Sequence, residues 1–200
     1  RTGGGVCPCR WNTALHRGSA TLRAGIVGSF PSPNARTTDI LNQWLERITT
    51  ELSETPRAAP WALNLVMHRS NPRRHDDLEL AIKYRAPIVI TALGSPVEAV
   101  ESVHAYGGKV YADVTTIDFA RRAAAVGVDG LALVCCGAGG HTGLLSPFAF
   151  VDEVRQFWFG DTCVSPASLP DHQTRWFMPD AAIDSAVRNR FGTLPDQAMS

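Results

Sequence analysis

The sequence has no surplus of charge of either sign: 19 basic and 19 acidic side chains cancel across 200 residues. A chain that holds nucleic acid through bulk electrostatics carries a basic excess, so that class is disfavoured. No apolar run reaches the roughly 18 residues that a membrane-spanning helix needs. No apolar signal-peptide core follows Arg1, and the chain does not begin with Met. Cysteine is scarce and irregularly placed, at Cys7, Cys9, Cys135, Cys136 and Cys163. An odd count without paired Cys-x-x-Cys or His-x-x-x-His spacing argues against a disulfide framework and against a zinc site. No metal is expected.

Acidic residues are missing altogether from positions 1–24, which carry Arg1, Arg10, Arg17 and Arg23. Gly3-Gly4-Gly5 and Cys7-Pro8-Cys9 break any amphipathic helix there, so the stretch reads as an irregular arm rather than a transit peptide. What the chain does have is 44% hydrophobic and 19% charged residues. That composition suits one globular core and excludes a wholly disordered chain. The expectation is a soluble, cytoplasmic protein.

Residues 25–158 alternate short apolar runs with helical patterns. The runs begin at Gly25, Trp61, Pro87, Lys109 and Gly130. Each is short and mostly apolar, as befits strands buried on both faces of a parallel sheet. Between them, Ile40, Leu41, Trp44, Leu45, Ile48 and Leu52 form a helical stripe. Ser95-Pro96-Val97-Glu98 predicts a capping box, and Ser146-Pro147 a second helix start. Gly107-Gly108 and Gly127 suit left-handed helix ends. Residues 159–200 lose the pattern and read as an irregular tail, broken by Pro166, Pro170, Pro179 and Pro195, with one short helix over 180–190. The fold class is α/β, with about five β-α units.

In such folds, function lies at the carboxyl ends of the strands. The richest strand end is Cys135-Cys136-Gly137-Ala138-Gly139-Gly140-His141-Thr142-Gly143. Glycines let the backbone approach a flat or anionic ligand, and a histidine there moves protons near neutral pH. The string lacks the spacing of the dinucleotide-binding fingerprint. Arg73-Arg74 before Asp76-Asp77 reads as a solvated helix start. Cys135 and Cys136 read as small buried residues.

The segment from Val134 to Phe148 resembles the signature loop of the nitronate monooxygenase family, formerly 2-nitropropane dioxygenases. Three further segments agree in order and spacing: 25–36 (GIVGSFPSPNAR), 62–71 (ALNLVMHRSN) and 110–116 (VYADVTT). The resemblance covers roughly residues 24–158. It implies a TIM barrel, here partial, that binds FMN and oxidises alkyl nitronates with O2. It implies that His141 lies near the flavin and binds the substrate or takes its proton. It also implies that Asn64, at the end of its strand, and the Gly139-Gly140 backbone contact the flavin.

The chain departs from the family at both ends and at Ala112, where a His or Lys is expected. Residues 1–23 carry no Gly- and Met-containing flavin loop, and 159–200 carry no glycine-rich phosphate loop. The expectation is a truncated or frame-disrupted relative, prone to self-association through incomplete barrel edges. Two alternatives stay open. One is another flavin oxidoreductase on this scaffold, an enoyl-thioester or quinone reductase using NAD(P)H. The other is a remnant without catalysis.

Overall fold

The computed structural model describes residues 27–53, 58–138 and 142–165. Six parallel strands lie in sequence order: β1 (Gly28–Pro31), β2 (Trp61–Val66), β3 (Ile88–Ala92), β4 (Lys109–Val114), β5 (Gly130–Val134) and β6 (Asp161–Ser165). Five helices alternate with them: α1 (Thr38–Ser53), α2 (Arg74–Lys83), α3 (Val97–His104), α4 (Ile117–Val126) and α5 (Pro147–Arg155). Among the described residues β1 and β6 do not pair, so the sheet is open.

The pleat sorts each strand onto two faces. Leu63, Leu65, Val89, Val110, Leu131 and Leu133 face the helices, and all are essentially inaccessible to solvent. They meet Leu41, Leu45, Val103, Phe150 and Val154 in the main core. The opposite face carries a smaller cluster of Val27, Ala62, Ile88, Ile90, Tyr111 and Ala132. Strands buried on both faces need near-continuous apolar sequence, which is why β3 and β5 are legible as runs.

The Ser146 side chain accepts from Ala149 N and caps α5, with Pro147 opening the helix. Thr116 caps α4, and Gly127 ends it at φ 87°. The capping box expected at Ser95 does not form. α3 starts one residue later, with Pro96 at its N-cap position. Glu98 turns instead toward Arg74 and His75.

The structure also corrects the limits of the strands. The described part of β1 runs over Gly28–Pro31, and the start expected at Gly25 lies outside the described residues. β6 lies inside the stretch read as an irregular tail. Its mixed sequence hides it, but its setting explains it. Trp158 folds over Gly160, where a Cβ would come within 2.6 Å of the indole, and donates to Asp161 O at 3.2 Å. Asp161 then meets Tyr111, whose hydroxyl donates to Oδ2 at 2.5 Å, and Lys109 at 3.9 Å. The arm 1–24 and the tail beyond 165 lie outside the described residues.

Candidate active site at the strand ends

All six strands point their carboxyl ends the same way, so the following loops share one mouth. The first is anchored from an unexpected place. The turn Ser32–Asn34 follows β1, and Ser32 is wholly buried. Its hydroxyl donates to Asp77 Oδ2 at 2.7 Å. Arg73 donates to Asp77 Oδ1 at 2.8 Å and to Ala35 O at 2.7 Å. Asp77 is only 2% exposed, so the solvated helix start expected at 73–77 is corrected to a buried latch. It ties the β1 loop to α2 across 45 residues of sequence. The Arg73/Asp77 spacing was the only local signal for it.

Asn64 is half-buried and paired in register with Pro31 and Ile90. It therefore lies on the inner face, the face of Ile90. β2 continues past it to Val66, so Asn64 does not end its strand. Beyond Val66, Asn71 donates to Val66 O at 2.8 Å and accepts from Arg73 N at 3.1 Å, closing the turn into α2. The His68 imidazole Nδ1 faces Ser70 Oγ at 2.7 Å and Ser70 N at 3.2 Å. A ring nitrogen that accepts from a backbone N–H leaves the proton of the neutral ring on Nε2.

After β3, Leu93 adopts φ 59° and is half exposed. At Gly94 a Cβ would lie 2.3 Å from Met67 O, so this loop abuts the backbone just past β2. Near the end of β4, Asp113 is half-buried and in register with Ala132 on the inner face.

The glycine-rich loop after β5 is clamped at its neck. Cys136 N donates to Leu145 O at 2.8 Å, and Gly143 N to Cys135 O at 3.2 Å. The Thr142 hydroxyl accepts from Gly137 N and donates to Cys135 O, both at 3.1 Å. A Cβ at Gly143 would sit 2.1 Å from Val134 O, so only glycine passes there. Gly137 turns at φ 77°. The loop is thus a closed excursion from the strand end. Its tip, Gly139, Gly140 and His141, lies outside the described residues. Cys135 is fully buried, and burial, then its neighbour Cys136, pushes its thiol up from the ordinary value. That suits packing rather than nucleophilic attack.

The mouth therefore joins an inward-facing amide at Asn64, a carboxylate at Asp113 and a clamped glycine loop. A flat, partly polar ring system fits such a set, because amide and backbone groups can meet its edge while apolar strand residues meet its face. A phosphate asks in addition for convergent N–H groups or a cationic side chain.

No protein-family model and no curated protein sequence matches the chain. Solved structures do match it in fold. A mutant of FabK from Thermotoga maritima superposes with a TM-score of 0.63 at 23% identity, over 73% of this chain and 46% of that one. FabK from the same organism gives 0.60 at 22% identity, over 74% and 46%. Nitroalkane oxidase from Streptomyces ansochromogenes gives 0.62 at 16% identity, over 73% and 53%. The fold is a partial TIM barrel. The chain spans about half the length of these structures. This agrees with the architecture expected from the sequence, with β6 added to it.

Proposed function

We propose that this open barrel serves flavin-dependent oxidoreduction, with FMN as cofactor, an alkyl nitronate as substrate and O2 as oxidant. One observation carries the reading. The four sequence segments that resemble the nitronate monooxygenase family fall on β1, β2, β4 and β5 and the loops that follow them, all at one mouth. The nitroalkane oxidase among the fold matches bears a name for related substrate chemistry.

In this reading Asn64 and the Gly139-Gly140 backbone hold the ring system, and His141 stands at the substrate. Bound FMN would supply the electron transfer that no side chain here provides. A protonated His141 and nearby backbone N–H groups favour the anionic nitronate. A neutral His141 takes a proton from a neutral nitroalkane. The Thr142 hydroxyl ties the two ends of the loop, at Gly137 and Cys135, together. Cys135 and Cys136 are in no disulfide, which suits the cytoplasm as compartment. No described helix is long and apolar enough to cross a membrane.

A second reading, another flavin reductase driven by NAD(P)H, draws on the FabK matches, which are higher in identity. Titration of the purified chain with FMN, followed by visible absorbance and flavin fluorescence, tests both. Saturable binding with a perturbed spectrum is expected, with nitronate-dependent O2 uptake that His141→Ala abolishes. Bleaching by NAD(P)H without nitronate turnover would select the second reading. Absence of binding at high FMN would refute both and leave the chain without this catalysis.

A further inference from the structure

Among the described residues, three large apolar side chains stand almost fully in water: Leu144 at 95%, Phe148 at 89% and Phe159 at 81%. All three belong to one helix and its flanks. Leu144 precedes α5, Phe148 is its second residue, and Phe159 follows it. The other exposed large apolar side chains are no more than half exposed. Apolar exposure gathered on one element marks an interaction surface, whereas scattered single residues do not.

The helix shows which of its flanks is open. Phe150 and Val154 are buried and set its core side. Arg121 of α4 lies over the Phe157 ring at 4.0 Å. Positions four apart share a flank, so Ala149, Glu153 and Phe157 form the side toward α4. Phe148, Val151, Asp152 and Arg155 fall on the opposite flank and, with Pro147, line a groove of about 460 Å³.

That flank is complementary to itself. It carries one acid and one base, Asp152 and Arg155, beside Phe148 and Val151. A two-fold axis crossing the helix between Val151 and Asp152 sets a second α5 antiparallel to the first. It brings Phe148 of one copy level with Arg155 of the other, and Val151 level with Asp152. Each arginine then meets a phenylalanine ring, with an aspartate one turn along, about 6 Å away at the helical rise. Arginine over phenylalanine is a pairing the fold already uses, in Arg121 over Phe157 and in Arg122 over Phe119. The same antiparallel arrangement sets the end that bears Leu144 beside the end that bears Phe159. A parallel pairing would oppose like charge to like. Zero net charge raises no long-range repulsion between copies. Phe148 and Phe159 of both copies, at about 150 Å² each, bring roughly 600 Å² out of water. Leu144, Val151, Asp152 and Arg155 of both copies extend this to the roughly 1,000 Å² of a specific interface.

We propose that two copies of this chain pair through α5 across a two-fold axis, with Arg155 of each copy against Phe148 and Asp152 of the other. The occupant of the groove is a second copy rather than another part of the same chain or a foreign protein. The proposal does not rest on the flavin reading.

Sedimentation equilibrium of the full chain over a range of concentrations tests it. A monomer–dimer equilibrium is expected. Asp152→Arg and Arg155→Asp each set like charges against one another across the axis, and each should weaken the dimer at least about tenfold. Mixed in equal amounts, the two variants should pair again, because one supplies only arginine and the other only aspartate at the two positions. Phe148→Asp should weaken the dimer as well. All three positions are exposed, so far-ultraviolet dichroism should match that of the unmodified chain. A chain that stays monomeric at every concentration would overturn the proposal and assign the groove to another occupant. So would a dimer that the charge variants or Phe148→Asp leave intact, or two weakened variants that fail to pair on mixing.

Discussion

Removal of the Asp77 carboxylate tests whether the buried latch holds the first loop of the mouth. The side chain is 2% exposed and accepts from Ser32 and from Arg73. Asp77→Ala leaves the Ser32 hydroxyl buried without that acceptor and strips Arg73 of its counter-charge. Breaking a buried ion pair by removing one partner costs about 3–5 kcal/mol. Arg73 is partly exposed and keeps Ala35 O, so the lower end applies, about 3 kcal/mol. An unsatisfied buried hydroxyl adds about 1 kcal/mol. With a urea m-value of about 2 kcal/mol/M, the unfolding midpoint should fall by roughly 1.5–2 M. Ser32→Ala should lower it by less, and the double variant should fall short of the sum, because the two residues share one bond. Asp76→Ala, one position away and exposed, is the control and should stay within about 0.5 kcal/mol of the parent. A shift under about 0.3 M for Asp77→Ala, or strict additivity with Ser32→Ala, would refute the latch.

Gly130→Ala places a Cβ 2.1 Å from the Tyr111 ring, so a drop in Tm equivalent to about 1–3 kcal/mol is expected, partly restored by a second substitution, Tyr111→Ala. Burial, and then the bond to Asp161, hold the Tyr111 hydroxyl well above the ordinary tyrosine range. Its folded pKa exceeds the unfolded one, so its contribution to stability is complete below about pH 10 and declines as pH rises further, by up to about 1.4 kcal/mol per pH unit. Urea unfolding at pH 9 and pH 11 reads this decline, which Tyr111→Phe should blunt; equal pH dependence in both chains would contradict it. The Cys135 thiol should resist alkylation in the native chain while Cys136 reacts, as peptide mapping after brief iodoacetamide treatment would show.

The sequence made the architecture readable where burial is two-sided or a cap is local. β5 is a pure apolar run with every residue buried, and Ser146-Pro147 announces α5 four residues before its first core side chain, Phe150. The same reading failed where the partner is distant. Asp161-Thr162-Cys163 has no strand-like run, because Asp161 faces Tyr111 and Lys109 on β4 rather than an apolar layer. Asp77 looks like a surface acid until Ser32 is brought to it. Ser95 had the residues of a capping box, but Pro96 takes the cap position, and Glu98 answers to α2 instead. At the candidate site, the inner face of Asn64 and the constriction around Thr142 follow from register and loop closure. Sequence spacing alone states neither.

The order of the sheet has a consequence for how the molecule comes apart. Each strand pairs only with its sequence neighbours, so cohesion passes from unit to unit as it does along a stack of repeats. No pairing among the described strands bridges first and last, and loss of an outer unit need not unzip the interior. Amide exchange should therefore be graded, slowest in β3 and β4 with partners on both sides, fastest in β1 and β6. A sheet of this kind should tolerate being shortened or extended by whole units at its two outer strands.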